Sequence, residues 1–204
     1  MSYDPKPRSW FVKLLLISPV FILGILFSLG FSTAMHFTNE LEFCTSCHSM
    51  QTNLREYKET IHYKNHAGVR AICSDCHVPK AFLPKMVAKV MAAKDVFHEL
   101  LGTLDTPESY EKHRWGMATK VWAKMKATDS RECRSCHSWE AMKLKDQVKI
   151  GRKKHIRAQK KGMTCIDCHK GIAHEEPDEP DEDESQQTSS VFSPSNHQIN
   201  SVIR

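Results

Sequence analysis

Cys44-Thr45-Ser46-Cys47-His48 decides the fold, because the chain writes the same Cys-x-x-Cys-His unit four times. The others are Cys73-Ser74-Asp75-Cys76-His77, Cys133-Arg134-Ser135-Cys136-His137 and Cys165-Ile166-Asp167-Cys168-His169. Two thiols three residues apart can each bond one vinyl-derived carbon of a haem edge, and the imidazole that follows then stands beside the iron. Paired cysteines also serve zinc sites, and exported chains use cysteines for disulfides. Neither chemistry calls for a histidine directly after the second cysteine, yet all four units have one, and they use up all eight cysteines. The units predict four covalently bound haem c groups, with His48, His77, His137 and His169 as proximal iron ligands.

The units also repeat in pairs. The first resembles the third (Glu42 to Ser49 against Glu132 to Ser138, after a one-residue slip), and the second resembles the fourth (Ile72 to His77 against Thr164 to His169). The two pairs are offset by 89 and 92 residues. Such self-similarity points to an internal duplication. It gives two di-haem halves, 44–80 and 133–174, joined by a helical insert, 81–132.

A low-spin cytochrome iron takes a second axial donor, His or Met. Eight further histidines are available: His36, His62, His66, His98, His113, His155, His174 and His197. His62 precedes Cys73 by 11 residues and His155 precedes Cys165 by 10, matching places in the two halves. His174 follows His169 by five. These three are the candidate distal ligands. His66, four residues after His62, is its rival, and His197 in the tail is a bystander. Three donors serve four irons, so the first unit should differ. Met50 lies two residues past His48, where the third unit has Trp139, and its thioether can displace or supplement His48. Packing of Met50 against a porphyrin is the alternative.

The first 35 residues say where these haems sit. Residues 14–35 contain no Asp, Glu, Lys, Arg or His. Twenty-two residues at about 1.5 Å each span about 33 Å, enough for the hydrocarbon core of a bilayer. Lys6, Arg8 and Lys13 precede the segment and predict a cytoplasmic N-terminus, residues 1–13. A transmembrane anchor over 14–36 is expected rather than a cleaved signal peptide, whose apolar region is only about 7–15 residues. The haem domain, 37–174, then lies in the periplasm of a single-pass inner-membrane protein.

Charge supports this division. The 204 residues carry +5 overall, but eight of the 24 acids fall in 175–184, which holds no base. The preceding 174 residues have 28 Lys and Arg against 16 acids, a surplus of +12. Haem propionates, membrane lipid or an acidic partner can absorb that surplus, and no nucleic acid is needed to explain it. Residues 175–204, acidic and then rich in Ser, Asn and Gln, read as a disordered tail. In the insert, residues 83–101 have helical apolar spacing, and a second helix should open at Thr106-Pro107-Glu108. It carries Trp115 and Trp122. Residues 140–161 are basic and predict a helix ending at Gly162. The expected fold is mainly α: one N-terminal transmembrane helix and a small multihaem cytochrome c domain.

The runs FCTSCHSM, EYKETIH, GVRAICSDCHVPK and TCIDCHKGIAH are similar to those of the NapC/NirT family, over residues 10–174. These are membrane-anchored tetrahaem quinol dehydrogenases. The resemblance is strongest to the branch that donates electrons to periplasmic nitrate reductase; the branch serving nitrite reduction is the alternative, as is a passive multihaem carrier. It implies a membrane quinol, ubiquinol or menaquinol, as the electron source. It also implies that the first haem lies beside the quinol pocket, with Met50 as a proximal ligand and Asp95 on the distal side. Lys89 would contact the quinol. Some relatives carry a histidine where Lys80 stands here; His98 would be its substitute, and so the alternative to Asp95 at the first haem. The likeness further implies His174 opposite His77, His155 opposite His137 and His62 opposite His169. Asp95 and Lys89 are therefore the candidate catalytic pair, Asp95 accepting a proton and Lys89 orienting the head group.

Overall fold

The computed structural model describes residues 10–180. Residues 1–9 and 181–204, with part of the expected cytoplasmic segment, most of the acidic tail and His197, lie outside them. Every regular element among the described residues is helical, as the sequence predicts.

Helix α1, Trp10–Phe37, runs unbroken through Pro19 and exposes nearly all of its described side chains. Within it, Leu15–Phe37 is long and apolar enough to cross a membrane. The chain then turns through Thr38–Glu40 into the short helix α2, Leu41–Cys44, followed by α3, Met50–Lys58, α4, Cys73–His77, and α5, Phe82–Leu100. Helix α6, Pro107–Ala127, opens as expected, with the Thr106 hydroxyl accepting from the Ser109 amide at 3.1 Å and Pro107 in the first turn. After it come α7, Arg131–Arg134, and α8, Lys149–Lys161, which ends at Gly162 with φ +61°. The basic stretch before α8 is not one helix. A 3-10 turn, Leu144–Asp146, is followed by extended backbone at Gln147 and Val148, and Gln147 turns back to hydrogen-bond His155 at 2.6 Å.

The pairwise likeness of the units extends to their hydrogen bonds. In the first and third units the serine before the second cysteine closes the same turn: Ser46 Oγ donates to the Phe43 carbonyl at 2.8 Å and Ser135 Oγ to that of Glu132 at 2.7 Å. In the second and fourth units the aspartate before the second cysteine accepts from the amide preceding the motif: Asp75 from Ile72 and Asp167 from Thr164, both at 2.9 Å. The variable positions of the motif are thus turn formers, and the third-place Ser or Asp distinguishes two local folds. In the last two units the histidine amide donates four residues back to the first cysteine's carbonyl, His137 to Cys133 at 2.8 Å and His169 to Cys165 at 2.9 Å. Cysteine and histidine therefore share one face of a helical turn.

Contacts order the units in a row. Ser74 Oγ donates to the Asn39 carbonyl at 2.8 Å where α2 meets α4. Helix α4 packs on α7, and the turn Cys165–Asp167 packs on α6. The third and fourth units are joined through Ser130, wholly buried, whose Oγ accepts from the Ile166 amide at 3.1 Å. Asp129 and Ser130 both hold positive φ, +53° and +49°, to reverse the chain between α6 and α7. Ser130→Ala leaves that turn but strips a buried N–H of its acceptor. It should lower stability by about 1–3 kcal/mol, read as a lower denaturation midpoint with haem content unchanged.

Among the described residues the buried apolar side chains are only Tyr57, Tyr110 and Ile166. A polypeptide domain of this size ordinarily closes over a larger core. So thin a side-chain core fits a domain whose interior is largely porphyrin.

Candidate functional site

None of the eight cysteines is paired in a disulfide. Among the described residues no group of three or more His, Cys, Asp or Glu side chains is assembled to hold a metal ion by itself, as structural zinc would require. What the fold does assemble is pairs of imidazoles. His77 and His174 have ring centres 6.3 Å apart, His62 and His137 6.2 Å, and His155 and His169 5.9 Å. Two imidazoles bound to one metal from opposite sides, at metal–nitrogen bonds of about 2.0–2.1 Å, hold their ring centres about 6.4 Å apart. Each pair contains one motif histidine and one of the three candidates His62, His155 and His174. His66, the rival of His62, is exposed.

Further details fit an iron porphyrin. The Nδ1 atoms of His62 and His174 are buried without a hydrogen-bond partner, a costly state for an imidazole with nothing to bind. Burial lowers the pKa of His174, which keeps the ring neutral as a metal ligand must be. In His155 the Nδ1 faces Gln147 Oε1, so Nδ1–H donates there and Nε2 is left for a metal. One small cavity is lined by Cys73, Cys76, His77 and His174, the attachment and ligand set expected for one haem, and His62 borders it as well.

The pairing differs from the one implied by the resemblance. His174 does lie against His77. His62, however, faces His137 rather than His169, and His155 faces His169 rather than His137. The His77–His174 pair is held by a buried clamp. Arg114 on α6, 8% exposed, donates to Glu56 Oε2 on α3 at 2.6 Å and to the Glu175 carbonyl at 2.9 Å. Glu56 Oε2 also accepts from the Glu175 amide at 2.9 Å. Both backbone polar groups of Glu175 are thereby fixed, which seats the preceding His174 against the second unit.

The first unit has different surroundings. Ser49, 6% exposed, donates through Oγ to Glu99 Oε2 at 2.6 Å, and its amide reaches Oε1 at 3.4 Å. Met50, half-buried at the start of α3, receives Asn53 Nδ2 on its sulfur at 3.7 Å. Lys89 on α5 donates to the Thr38 carbonyl at 2.8 Å and to its hydroxyl at 2.7 Å, where α1 ends. Burial lowers the Lys89 pKa. Nearer its start, α5 meets α1 through Phe31 and Phe82, ring centres 6.5 Å apart. Asp95 is exposed, and its charge is felt by Lys120 of α6. His98 is half-buried and turned to Thr103 Oγ1 at 3.4 Å. The carboxylate in contact with the first unit is therefore Glu99, one turn beyond Asp95 on nearly the same face of α5. Only that four-residue spacing could have nominated it from sequence. The Glu56–Arg114 clamp, whose members are 58 residues apart, left no sequence signal.

Residues 6–179 match the NapC/NirT cytochrome c family, N-terminal region. The chain is 56% identical over 170 residues to a protein of Allochromatium vinosum described as a tetraheme cytochrome c type, covering 83% of this chain and 92% of that one. It is 49% identical over 159 residues to the cytochrome c-type protein NapC of Escherichia coli strain K12, covering 78% and 80%. It is 51% identical over 166 residues to the denitrification system component NirT of Stutzerimonas stutzeri, covering 79% and 83%. No solved structure matches the chain.

Proposed function

The chain belongs to the NapC/NirT cytochrome c family, and from that premise we propose that it oxidises membrane quinol and passes the electrons through four haem c groups to a periplasmic reductase. It is a membrane-anchored electron-transfer cytochrome with covalently bound haem c. The observation that carries the finer reading is the asymmetry of the row. The unit next to α1 is surrounded by Met50, Glu99 and Lys89, whereas each of the others is given a second imidazole.

Haem c, when bound, supplies a one-electron acceptor at each unit. Cys44, Cys47, Cys73, Cys76, Cys133, Cys136, Cys165 and Cys168 would attach the four groups. His77 with His174, His137 with His62 and His169 with His155 would hold three irons, and His48 or Met50 the first. A quinol gives up two protons with its two electrons, so its site needs a proton acceptor. Asp95 is the proposed base at the quinol hydroxyl. Lys89, held at the exit of α1, would orient the head group. Glu99 fixes Ser49 and so the loop carrying His48 and Met50.

The haem domain is proposed to face the periplasm, with nitrate reductase as the electron acceptor. Relatives named for both branches keep nitrite reduction as a specific second reading. A pyridine haemochrome assay should give four haems per chain, and Cys133→Ser with Cys136→Ser should give three. To identify the acceptor, the quinol-reduced protein is mixed with periplasmic nitrate or nitrite reductase singly. Rapid haem reoxidation by nitrate reductase with nitrate is expected, and reoxidation only by nitrite reductase with nitrite would move the assignment to the other branch.

A further inference from the structure

Helix α8 carries seven Lys and Arg and no acid, with no acidic residue in its first turn. Its own stability gains nothing from this, because like charges three and four residues apart repel and bases near a helix N-terminus oppose the dipole. The helical period sorts the bases. Gly151, Arg152, His155 and Ala158 are half-buried on one face, where His155 meets His169. Lys153, Lys154, Arg157, Lys160 and Lys161 are exposed on the other. Among the described residues none of these five forms an ion pair.

We propose that the outward face of α8 is the docking surface for an acidic patch on a soluble redox protein, which takes electrons one at a time from the reduced haem held by Cys165 and Cys168. This rests on the reading of the chain as an electron donor. Three observations support it. The contacts place the fourth unit at the end of the row opposite the one joined to α1, so electrons entering at the first unit reach this end last. The same helix presents His155 inward to that unit and outward a basic face that makes no ion pair among the described residues, so a partner on the helix lies directly over the exit haem. Only Arg152 is turned inward, where a propionate could use it, so the other bases do not serve as propionate counter-ions. A basic face of this kind steers acidic partners and raises their encounter rate at low salt.

The test uses small redox probes of opposite charge. The full-length protein in detergent is reduced and then oxidised by ferricyanide, an anion, or by tris(phenanthroline)cobalt(III), a cation. Each probe accepts one electron from one ferrous haem. The variant Lys153→Glu/Lys154→Glu/Arg157→Glu is compared with Lys58→Glu/Lys64→Glu/Lys112→Glu, which changes net charge equally at other exposed positions. Oxidation by ferricyanide should slow about tenfold in the α8 variant at low ionic strength, speed up with the cobalt complex, and return towards wild type when salt shortens the Debye length. The control should change less than twofold. Equal slowing in both variants would show that net charge alone matters and would overturn the proposal. So would an altered haem spectrum or potential in the α8 variant alone, which would make the bases haem counter-ions.

A lipid surface is the other occupant to exclude. In vesicles of phosphatidylcholine, with or without phosphatidylglycerol, the α8 effect should persist. Its disappearance only in the anionic vesicles would assign the face to lipid. Quinol reduction of the haems should be the same in all three proteins. If quinol fails to reduce the wild type, the proposed function falls while the probe result still decides the docking surface.

Discussion

Arg114→Met should cost about 3–5 kcal/mol of stability and release His174 from His77, because it leaves Glu56 buried without its counter-charge. The Glu56 and Arg114 side chains are 11% and 10% exposed, and together they hold both backbone polar groups of Glu175. Freed of that clamp, the segment after Gly171 loses the contact that opposes its chain entropy. The expected signature is specific: four haems retained, a lowered denaturation midpoint, and one haem converted from low to high spin in the EPR spectrum. A variant with lower stability and all low-spin signals intact would reduce the clamp to a packing role. Arg114→Lys, which keeps the charge but not the forked donors, should recover only part of the loss. In a double-mutant cycle, Arg114→Met with Glu56→Gln should be milder than the two single losses added, since neither partner then leaves a full charge unpaired.

That clamp also marks where sequence reasoning stops. The four Cys-x-x-Cys-His units, the apolar α1, the Thr106–Pro107 helix start and the Gly162 end are local features, and each is read from a few adjacent residues. His62, His155 and His174 were also legible as candidate ligands, because spacing within each half singles them out, and each lies against a motif histidine. Their partners were not legible. The resemblance implied His155 with His137 and His62 with His169, whereas the fold seats them the other way round. The seat of His174 rests on Glu175 reaching back across 119 residues to Glu56, a contact that no periodicity encodes. The start of α8 was missed for a smaller reason of the same kind. Gln147 leaves helical geometry to hydrogen-bond His155, and a basic composition does not forecast that turn. At the first unit, Asp95 was found by family likeness, but the carboxylate that touches the unit is Glu99.

Asp95→Asn should lower the rate of quinol oxidation by about 10²–10⁴, the range lost with a positioned general base. Haem content and the rate of reduction by dithionite should not change, since the side chain is exposed and bears no structural load in the described contacts. Glu99→Gln should behave differently. An amide can still accept from Ser49 Oγ through one oxygen, so the loop is kept and quinol oxidation should fall only severalfold. If the order is reversed, with Glu99→Gln the crippled variant and Asp95→Asn near wild type, the base is Glu99, one turn further along this helix face.

The central claim is that this chain takes electrons from membrane quinol, and the most direct test is anaerobic stopped-flow mixing of the oxidised, detergent-solubilised full-length protein with ubiquinol or menaquinol. The account predicts reduction of haem c with two electrons delivered per quinol, lost in Asp95→Asn. Haems that dithionite reduces fully but that neither quinol reduces would contradict it and leave a passive electron carrier.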